Sequence, residues 1–200
     1  MVHTNASQVS RWVNNKSVPH ADTVGRMEEI LGTDVSRAFA ESLPAHELYV
    51  SAPITGLGPT LVEAHHDAVS LVMKTLETVV NSPFWPGAGI HGLNDLTAAD
   101  IATERNFRVM AASPAFLYLQ FEEITAPSSA LIELGFALGK RIKTTVIRRS
   151  GLKQPFMLDG FGAVAERLNC LPQARLYTVD SAQGACELIR KDGRELLGLA

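Results

Sequence analysis

The sequence predicts an α/β fold, a three-layer sandwich of about five parallel strands, preceded by a small N-terminal helical segment. The strongest observation is an apolar run at Ala115–Phe121, a helix-like stretch at Pro127–Lys140 and a second apolar run from Lys143. An apolar run, a helix and a second apolar run in this order form the pattern of a βαβ unit in a parallel sheet. The same alternation recurs over residues 46–200, which indicates one flavodoxin-like or Rossmann-like sheet with right-handed crossovers.

Length and composition are those of a globular protein with one domain and a small appendage. The chain has 200 residues, of which 46% are hydrophobic and 20% charged, and this balance argues against disorder. The formal net charge of −3 predicts no general affinity for nucleic acid or acidic lipid, and it leaves room for a local basic face. We expect one domain at residues 1–45 and a second at residues 46–200.

The sequence shows no targeting segment and no cysteine spacing typical of a disulfide framework or a metal site. No apolar run approaches the 18 or so residues that span a bilayer, and the first residues lack a signal-peptide pattern. Cys170 and Cys186 are far apart and neither has a CxxC partner, so neither a disulfide framework nor a zinc site is expected. These features predict a cytoplasmic protein without a metal or a cofactor.

The N-terminal segment reads as three short helices. They cover Ala6–Asn14, His20–Leu31 and Val35–Leu43, and Pro19 ends the turn between the first two. The first helix carries side chains that can donate to base edges and phosphates, among them Ser7, Gln8 and Arg11. Composition alone favours a small helical cap with a solvated polar face.

The stretch Ser7–Pro19 resembles the recognition helix and following turn of the Cro/repressor (XRE-type) helix-turn-helix family. That resemblance implies that Ser7, Gln8 and Arg11 face DNA and that Trp12 is core. The family has two helices before the recognition helix, whereas only a few residues precede it here. Two interpretations stay open: the true start lies upstream of Met1, or the segment is a remnant that packs or dimerises.

The first half of the main domain is predicted as strand, loop, helix and short strand. Glu47–Pro53 is the first strand, a glycine-containing loop follows, and a helix runs from about Thr60 to Val80. We expect Ala64 and Leu71 to face inward on that helix. His65 and His66 are adjacent on it, and adjacent positions do not share a face, so the pair does not predict a metal site.

The second half continues the alternation. The strand at Asn81–Gly87 enters a loop, and Trp85 there either stacks on a base or fills core, with core favoured. The remaining predicted elements are, in order, helix Asp100–Ala112, strand Ala115–Phe121, the helix within Pro127–Lys140, strand Lys143–Arg148, an irregular to helical stretch at Phe156–Asn169, strand Arg175–Val179 and helix Ser181–Leu197.

Glu133 is the candidate functional residue that the element order itself suggests. It lies in the first turns of the helix after the third strand, beside the apolar stripe. A carboxylate near a helix N-terminus, beyond a strand's carboxyl end, sits where open α/β sheets bind ligands. Read alone, Glu133 fits a solvated or capping glutamate as well.

Three segments together resemble the nucleoside 2-deoxyribosyltransferase family and its relatives that hydrolyse nucleotide N-glycosidic bonds. They are Tyr49–Gly56, Asp100–Asn106 and Ser128–Gly139, the last with the sequence Ser-Ser-Ala-Leu-Ile-Glu-Leu-Gly-Phe-Ala-Leu-Gly. The resemblance implies that Glu133 is the nucleophile at the sugar C1′ and that Asn106 handles the base. It further implies a ligand site; its members would be Tyr49, Ser51, Ala52, Pro53, Gly56, Trp85, Ser128 and Ser129.

Two positions depart from the family pattern. Asn106 stands where the family has an acid on the middle helix, and Pro127 stands where it has an acid shortly before the nucleophile. An amide can hydrogen-bond a base but cannot deliver a proton as a carboxylic acid does. Glu122 or Glu123 could substitute from the preceding loop. Binding is therefore better supported than full transferase activity.

Two hypotheses of different classes follow. The first is a regulator in which a nucleoside- or nucleotide-binding domain is fused to a partial DNA-binding helix-turn-helix. The second is an active N-glycosidase or deoxyribosyltransferase that acts on a nucleoside, a nucleotide or an NAD-like substrate through Glu133. Both resemblances imply homodimerisation, with a small nucleotide-like molecule as partner and DNA as a further one.

Overall fold

The computed structural model describes residues 46–90, 99–126, 128–153 and 174–200, with side chains omitted at 99–101. The backbone divides into two units: Met1–Ala45 with Thr97–Arg108, and His46–Leu96 with Val109–Ala200. The predicted helices before residue 46 and the predicted stretch at 156–169 lie outside the described residues, as does Pro127. The sheet described next belongs to the second unit, and the helix Ala99–Ala112 has its residues up to Arg108 in the first.

Five parallel strands form one sheet in the order β2-β1-β3-β4-β5, which confirms the predicted α/β fold. The strands are β1 (Leu48–Ser51), β2 (Pro83–Phe84), β3 (Ala115–Gln120), β4 (Lys143–Arg149) and β5 (Ala174–Val179). Each overlaps a strand predicted from the sequence. Near-continuous apolar runs such as β3, buried throughout, are typical of strands covered on both faces.

The helices follow the strands in the predicted alternation. A 3₁₀ turn at Pro59–Leu61 leads into α1 (Val62–Leu76), and α2 (Ala99–Ala112), α3 (Ser129–Gly139) and α4 (Ala182–Leu196) follow in chain order. The described residues hold no helix of the length and apolarity that crossing a membrane requires.

One main cluster of apolar side chains lies between the sheet and the helices α1 and α4. Leu48 and Val50 of β1 enter it from the sheet, and Val72 of α1 and Ile189 of α4 cover them. Trp85 is in this cluster and only 6% exposed, so the structure places its ring in the core. Because side chains alternate along a strand, Tyr49 and Ser51 point to the opposite face of the sheet.

The buried face of α1 differs from the predicted one. Ala64 and Leu71 are exposed, whereas His65 and His66 are buried together with the valines of the helix. The prediction failed because it counted the histidines as polar, although they continue the inward stripe. The helix also ends at Leu76, four residues earlier than expected. Across the described part of the chain, no three side chains of metal-binding type meet.

His65 is buried without hydrogen-bond partners among the described residues. Its side chain is 1% exposed, both ring nitrogens are unbonded, and its ring lies 6.1 Å from that of Phe121. Burial, with a smaller contribution from the charge of His66, lowers the pKa of His65 from 6.5 to about 4. The neutral imidazole is therefore the form that the fold accommodates.

The fold should lose stability on mild acidification through His65. The unfolded chain binds a proton near pH 6.5 and the folded chain only near pH 4, so stability is complete above pH 6.5 and falls as the pH drops toward 4. The difference corresponds to about 3 kcal/mol at the acid end. We expect His65→Leu to reduce the pH dependence of the urea unfolding midpoint, measured between pH 4 and pH 6.5. An unchanged slope in the variant would contradict this assignment.

Candidate active site at the switch point of the sheet

The strand order places a topological switch point between the carboxyl ends of β1 and β3. The helix after β1 packs on the face that holds Leu48 and Val50, while α3, which follows β3, contacts the face that holds Tyr49 and Ser51. Neighbouring connections therefore leave the sheet on opposite sides. In open α/β sheets of this order, the point where the connections diverge is where ligands bind.

Glu133 reaches this point from α3 and is held by two hydroxyl groups of β1. The hydroxyl of Tyr49 donates to Oε1 at 2.9 Å, and the hydroxyl of Ser51 donates to Oε2 at 2.6 Å. Both donors are fully buried, whereas Glu133 itself is half-buried. A carboxylate that accepts from two donors in this way is oriented before any ligand arrives.

The phenol of Tyr49 is fixed by aromatic neighbours. Its ring stacks on that of Phe116 at 5.8 Å with an interplanar angle of 8°, and the ring of Phe84 lies 5.7 Å away. Phe116 is paired with Tyr49 in the register of β1 and β3, so the two rings stand side by side on one face. The donor to Glu133 thus has little rotational freedom.

The N-terminus of α3 is closed by local hydrogen bonds. Ser128 is the N-cap, and its hydroxyl accepts from the amide of Ala130 at 3.4 Å. The amide of Ser129 donates to the hydroxyl oxygen of Thr55 at 3.1 Å, and the two hydroxyls of Ser129 and Thr55 lie 3.2 Å apart. Ser129 is exposed and Ser128 is buried.

A second set of bonds joins the loop after β1 to the loop after β3. The carbonyl oxygen of Gly56 accepts from the amide of Thr125 at 2.8 Å and from the amide of Ala126 at 3.3 Å. Leu57 and Ile124 form an antiparallel bridge beside it. We call residues 55–57 and 124–126 the rim, because they join the loop after β1 to the loop after β3.

Gly56 is the residue that permits the rim. Its φ angle of +87° is in the region that favours glycine, and a Cβ there would stand 2.4 Å from the carbonyl oxygen of Ala126. Gly56 therefore allows its own carbonyl and the chain at 125–126 to approach closely. The sequence reading placed Gly56 in the ligand site; the structure shows its part in joining the two loops.

The other candidate residues have different surroundings. Ala52 and Pro53 follow Ser51 and are buried. Asn106 is on α2 in the first unit, where its Oδ1 accepts from Nε and Nη2 of Arg105 at 3.3 and 3.2 Å. Glu122 is in an ion pair with Arg149 at 3.3 Å, so its carboxylate is already engaged by a cation. The DNA-facing candidates Ser7, Gln8 and Arg11 lie outside the described residues.

Sequence reasoning missed Thr55 and the specific partners of Glu133. Thr55 lay in a predicted loop, and no local pattern connects it to Ser129, which is 74 residues away in the chain. The spacing of Tyr49 and Ser51, two residues apart on a strand that ends near the helix of Glu133, was the available signal. It places both hydroxyls on one face.

The fold and the site define a doubly wound α/β domain with an oriented carboxylate at its switch point. No protein-family model matches the chain, and no curated protein matches it in sequence. Among solved structures, a CMP N-glycosidase from Clostridium botulinum is similar, with a TM-score of 0.50 and 11% identity over 72% of this chain and 97% of that one. A conserved protein from Enterococcus faecalis V583 has a TM-score of 0.43 and 17% identity over 72% of this chain and 96% of its own. The first likeness supports the predicted fold, and at this identity it extends to the fold alone.

Substituting Gly56 should show how much the close approach in the rim contributes to the domain's free energy of unfolding. Gly56→Ala forces a Cβ against the carbonyl of Ala126 at a positive φ, which should cost about 2 kcal/mol or more in urea unfolding. Gly58→Ala is the matched control, because its Cβ meets nothing within 4 Å and its φ is −60°. Equal effects of the two substitutions would show that the close approach at Gly56 does not stabilise the fold.

Proposed function

We propose that the domain cleaves the N-glycosidic bond of a nucleoside or nucleotide, with Glu133 as the group that attacks the sugar C1′. The observation that carries this proposal is the carboxylate of Glu133, held through both oxygens by Tyr49 and Ser51 at the switch point. The likeness in fold to a CMP N-glycosidase supports it independently. So does the resemblance of the segment around Glu133 to the nucleoside 2-deoxyribosyltransferase family.

In the first step, an oxygen of Glu133 forms a bond to C1′ as the bond from C1′ to the base nitrogen breaks. The electron pair of the breaking bond leaves with the base, and the sugar passes through an oxocarbenium-like state that a nearby carboxylate stabilises. In the second step, water attacks C1′ and the ester bond to Glu133 breaks. The hydroxyl of that water ends on the sugar, its other proton returns to solvent in place of the one that the base took up, and the carboxylate is restored.

The hydroxyls of Tyr49 and Ser51 act on both steps. They hold the carboxylate of Glu133 at one position before it attacks C1′. When the ester breaks, the same donors stabilise the charge that returns to the carboxylate. A second base in place of water would give transfer in place of hydrolysis.

The far end of the sugar would bind at the start of α3 and the rim. The hydroxyls of Ser129 and Thr55, 3.2 Å apart, can both turn to a 5′-hydroxyl or a phosphate oxygen. Ala52, Pro53 and Gly56 supply the backbone that lines this side of the proposed pocket. The core position of Trp85 gives it a supporting role in this proposal, behind the loop.

Departure of the base is the step for which the candidate residues offer the least acid catalysis. Asn106 cannot donate a proton as an acid does, and Glu122 is paired with Arg149. We therefore propose substrates whose bases leave with a proton taken from solvent. This shortage also favours a second candidate, in which the domain binds the nucleotide without cleaving it.

In the second candidate the protein is a regulator, and residues 46–200 sense the ligand for a DNA-binding segment. The specific observation behind it is the resemblance of Ser7–Pro19 to a recognition helix, together with Asn106 at a position where the resembled enzyme family has an acid. Ser7, Gln8 and Arg11 would contact the duplex. This candidate and the first differ in whether free base appears.

Release of free base tests the first candidate directly. We expect the protein, incubated with a panel of nucleosides, nucleoside monophosphates and NAD, to release base from at least one of them, detected by chromatography. Glu133→Gln should abolish release while leaving the fold intact, because the amide keeps the size of the side chain but cannot attack. Glu187→Gln is the matched control, since Glu187 is exposed on α4, which covers the opposite face of the sheet.

Variants at the two donors to Glu133 test their roles in the same assay. Tyr49→Phe and Ser51→Ala each remove one hydrogen bond to a charged group, worth about 1.5–3 kcal/mol, so kcat should fall roughly 10- to 100-fold in each. Base release that persists at the wild-type rate in Glu133→Gln would refute the catalytic role of Glu133. No release from any substrate at high protein concentration would leave only the binding function.

DNA binding tests the regulator. If the second candidate holds, a chain extended by the in-frame upstream coding sequence should bind duplex DNA, with an affinity that falls as salt rises. Arg11→Ala should weaken that binding by roughly tenfold, as expected for one lost base or phosphate contact. Absence of salt-sensitive binding in a fluorescence anisotropy titration would count decisively against a regulator.

A further inference from the structure

Gln120, the last residue of β3, has a buried amide on the face of the sheet that carries the donors to Glu133. The alternate residues of β3 at 115, 117 and 119 are in the main apolar cluster, so the side chain of Gln120 leaves the opposite face. Tyr118 shares that face and is paired with Ser51 in the register of the sheet. Because Gln120 is inaccessible to solvent, its amide must find its hydrogen bonds within the protein.

Both ends of this amide are bonded, and only one orientation is possible. The hydroxyl of Tyr118 donates to Oε1 of Gln120 at 3.2 Å, and Nε2 of Gln120 donates to the carbonyl oxygen of Glu122 at 3.1 Å. A carbonyl oxygen can only accept, so the end of the amide that faces Glu122 is the nitrogen. Burial raises the pKa of Tyr118 above its ordinary value, so the phenol keeps the proton that it donates. The side chain of Gln120 thus ties the end of β3 to the loop that follows.

The loop at residues 122–126 is held at both ends. At its start, Gln120 binds the carbonyl oxygen of Glu122, and Arg149 of β4 pairs with the carboxylate of Glu122 at 3.3 Å. At its end are the bonds of the rim, in which the amides at 125 and 126 donate to the carbonyl oxygen of Gly56. The position of the rim therefore depends on the bond from Gln120 as well as on Gly56.

We propose that Gln120 is a positioning residue for the 5′ end of the ligand, because its bond to the loop brings the hydroxyls of Thr55 and Ser129 together before a ligand binds. Thr55 belongs to the rim, and Ser129 follows the rim by three residues. Their hydroxyls lie 3.2 Å apart, and the amide of Ser129 donates to Thr55. Gln120 acts through the loop and does not touch the ligand. The assignment of a 5′ group to this place rests on the proposed function.

The carboxylate of Glu133 and the pair formed by Thr55 and Ser129 have separate supports. Two hydroxyls of β1 hold Glu133, whereas the pair depends on the loop that Gln120 fixes. Loss of the bond from Gln120 should therefore weaken binding of the ligand more than it slows the chemical step. In kinetic terms, KM should rise while kcat changes little.

The test compares two variants that both lack the phenol of residue 118. Tyr118→Phe keeps the bond from Gln120 to Glu122, and Tyr118→Phe combined with Gln120→Met removes it. Gln120→Met alone would leave the hydroxyl of Tyr118 buried without its acceptor, whereas replacing both partners by apolar groups of similar shape is nearly neutral. We therefore expect the urea unfolding midpoint of the double variant to lie above that of Gln120→Met.

Amide hydrogen exchange of the whole chain, measured by mass spectrometry, tests the positioning without any ligand. We expect residues 122–126 to exchange roughly fivefold to tenfold faster in the double variant than in Tyr118→Phe, the factor that one net hydrogen bond contributes. Peptides from β4 should exchange equally in the two variants. Equal rates at 122–126 would overturn the proposal, and so would an acceleration spread evenly over the sheet.

Base release tests the consequence for the ligand. For the nucleoside that the wild-type protein cleaves fastest, KM should be roughly tenfold higher in the double variant than in Tyr118→Phe, with kcat changed by less than about threefold. The 5′-deoxy analogue lacks the hydroxyl that Thr55 and Ser129 would bind, so its KM should be the same in both variants. A fall in kcat at constant KM, or an equal rise in KM for the analogue, would overturn the 5′ role.

Failure of this inference and failure of the proposed function give different results. If the wild-type protein releases no base, the proposed cleavage fails, and the two variants are compared through the dissociation constants of adenosine and 5′-deoxyadenosine in calorimetry. A loss of affinity confined to adenosine in the double variant would support the 5′ role. A protein that binds neither compound would overturn that role, while the exchange experiment would still decide whether Gln120 fixes the loop.

Discussion

The pair of hydrogen bonds from Tyr49 and Ser51 to Glu133 depends on every level of the fold. The donors and the acceptor are 84 and 82 residues apart in the chain, so only the parallel pairing of β1 with β3 brings them together. Two residues on one strand share a face because the side-chain period is two, and that face is the one α3 covers. Small side chains at Ala130 and Ala137 let the helix approach closely enough for Glu133 to reach the hydroxyls.

The burial of Tyr49 and Ser51 keeps water from replacing their hydrogen bonds to Glu133. Tyr49 and Ser51 are inaccessible to solvent, so water cannot replace either bond to Glu133, and the loss of a buried hydroxyl's bond costs about 1–3 kcal/mol. The stacked ring of Phe116 further limits the phenol. The carboxylate is consequently held by two buried donors, and its position is set before a ligand binds. Such preorganisation is what a nucleophile or a ligand-orienting acceptor requires.

The sequence predicted the strands and helices of the described domain well, because their apolar runs and helical spacings are local properties. β3 and β4 were placed within one residue, and Glu133 was assigned to the correct helix. The buried face of α1 was predicted wrongly, since the burial of His65 depends on neighbours such as Phe121 that local periodicity does not reveal. The same limit applies to the bond between Thr55 and Ser129.

The N-terminus of α3 shows how the rim would shape ligand recognition in the proposed function. The amide of Ser129, which would otherwise be open to an anion, already donates to Thr55. A ligand there would meet the hydroxyls of Thr55 and Ser129, which can donate to a phosphate oxygen and can also accept from a neutral hydroxyl. Hydroxyl donors discriminate less between these two groups than a cation would. Under the proposed function, the start of α3 would therefore select for the presence of a polar 5′ group more than for its charge, and Glu133, one turn further along, would act on the sugar that this group positions.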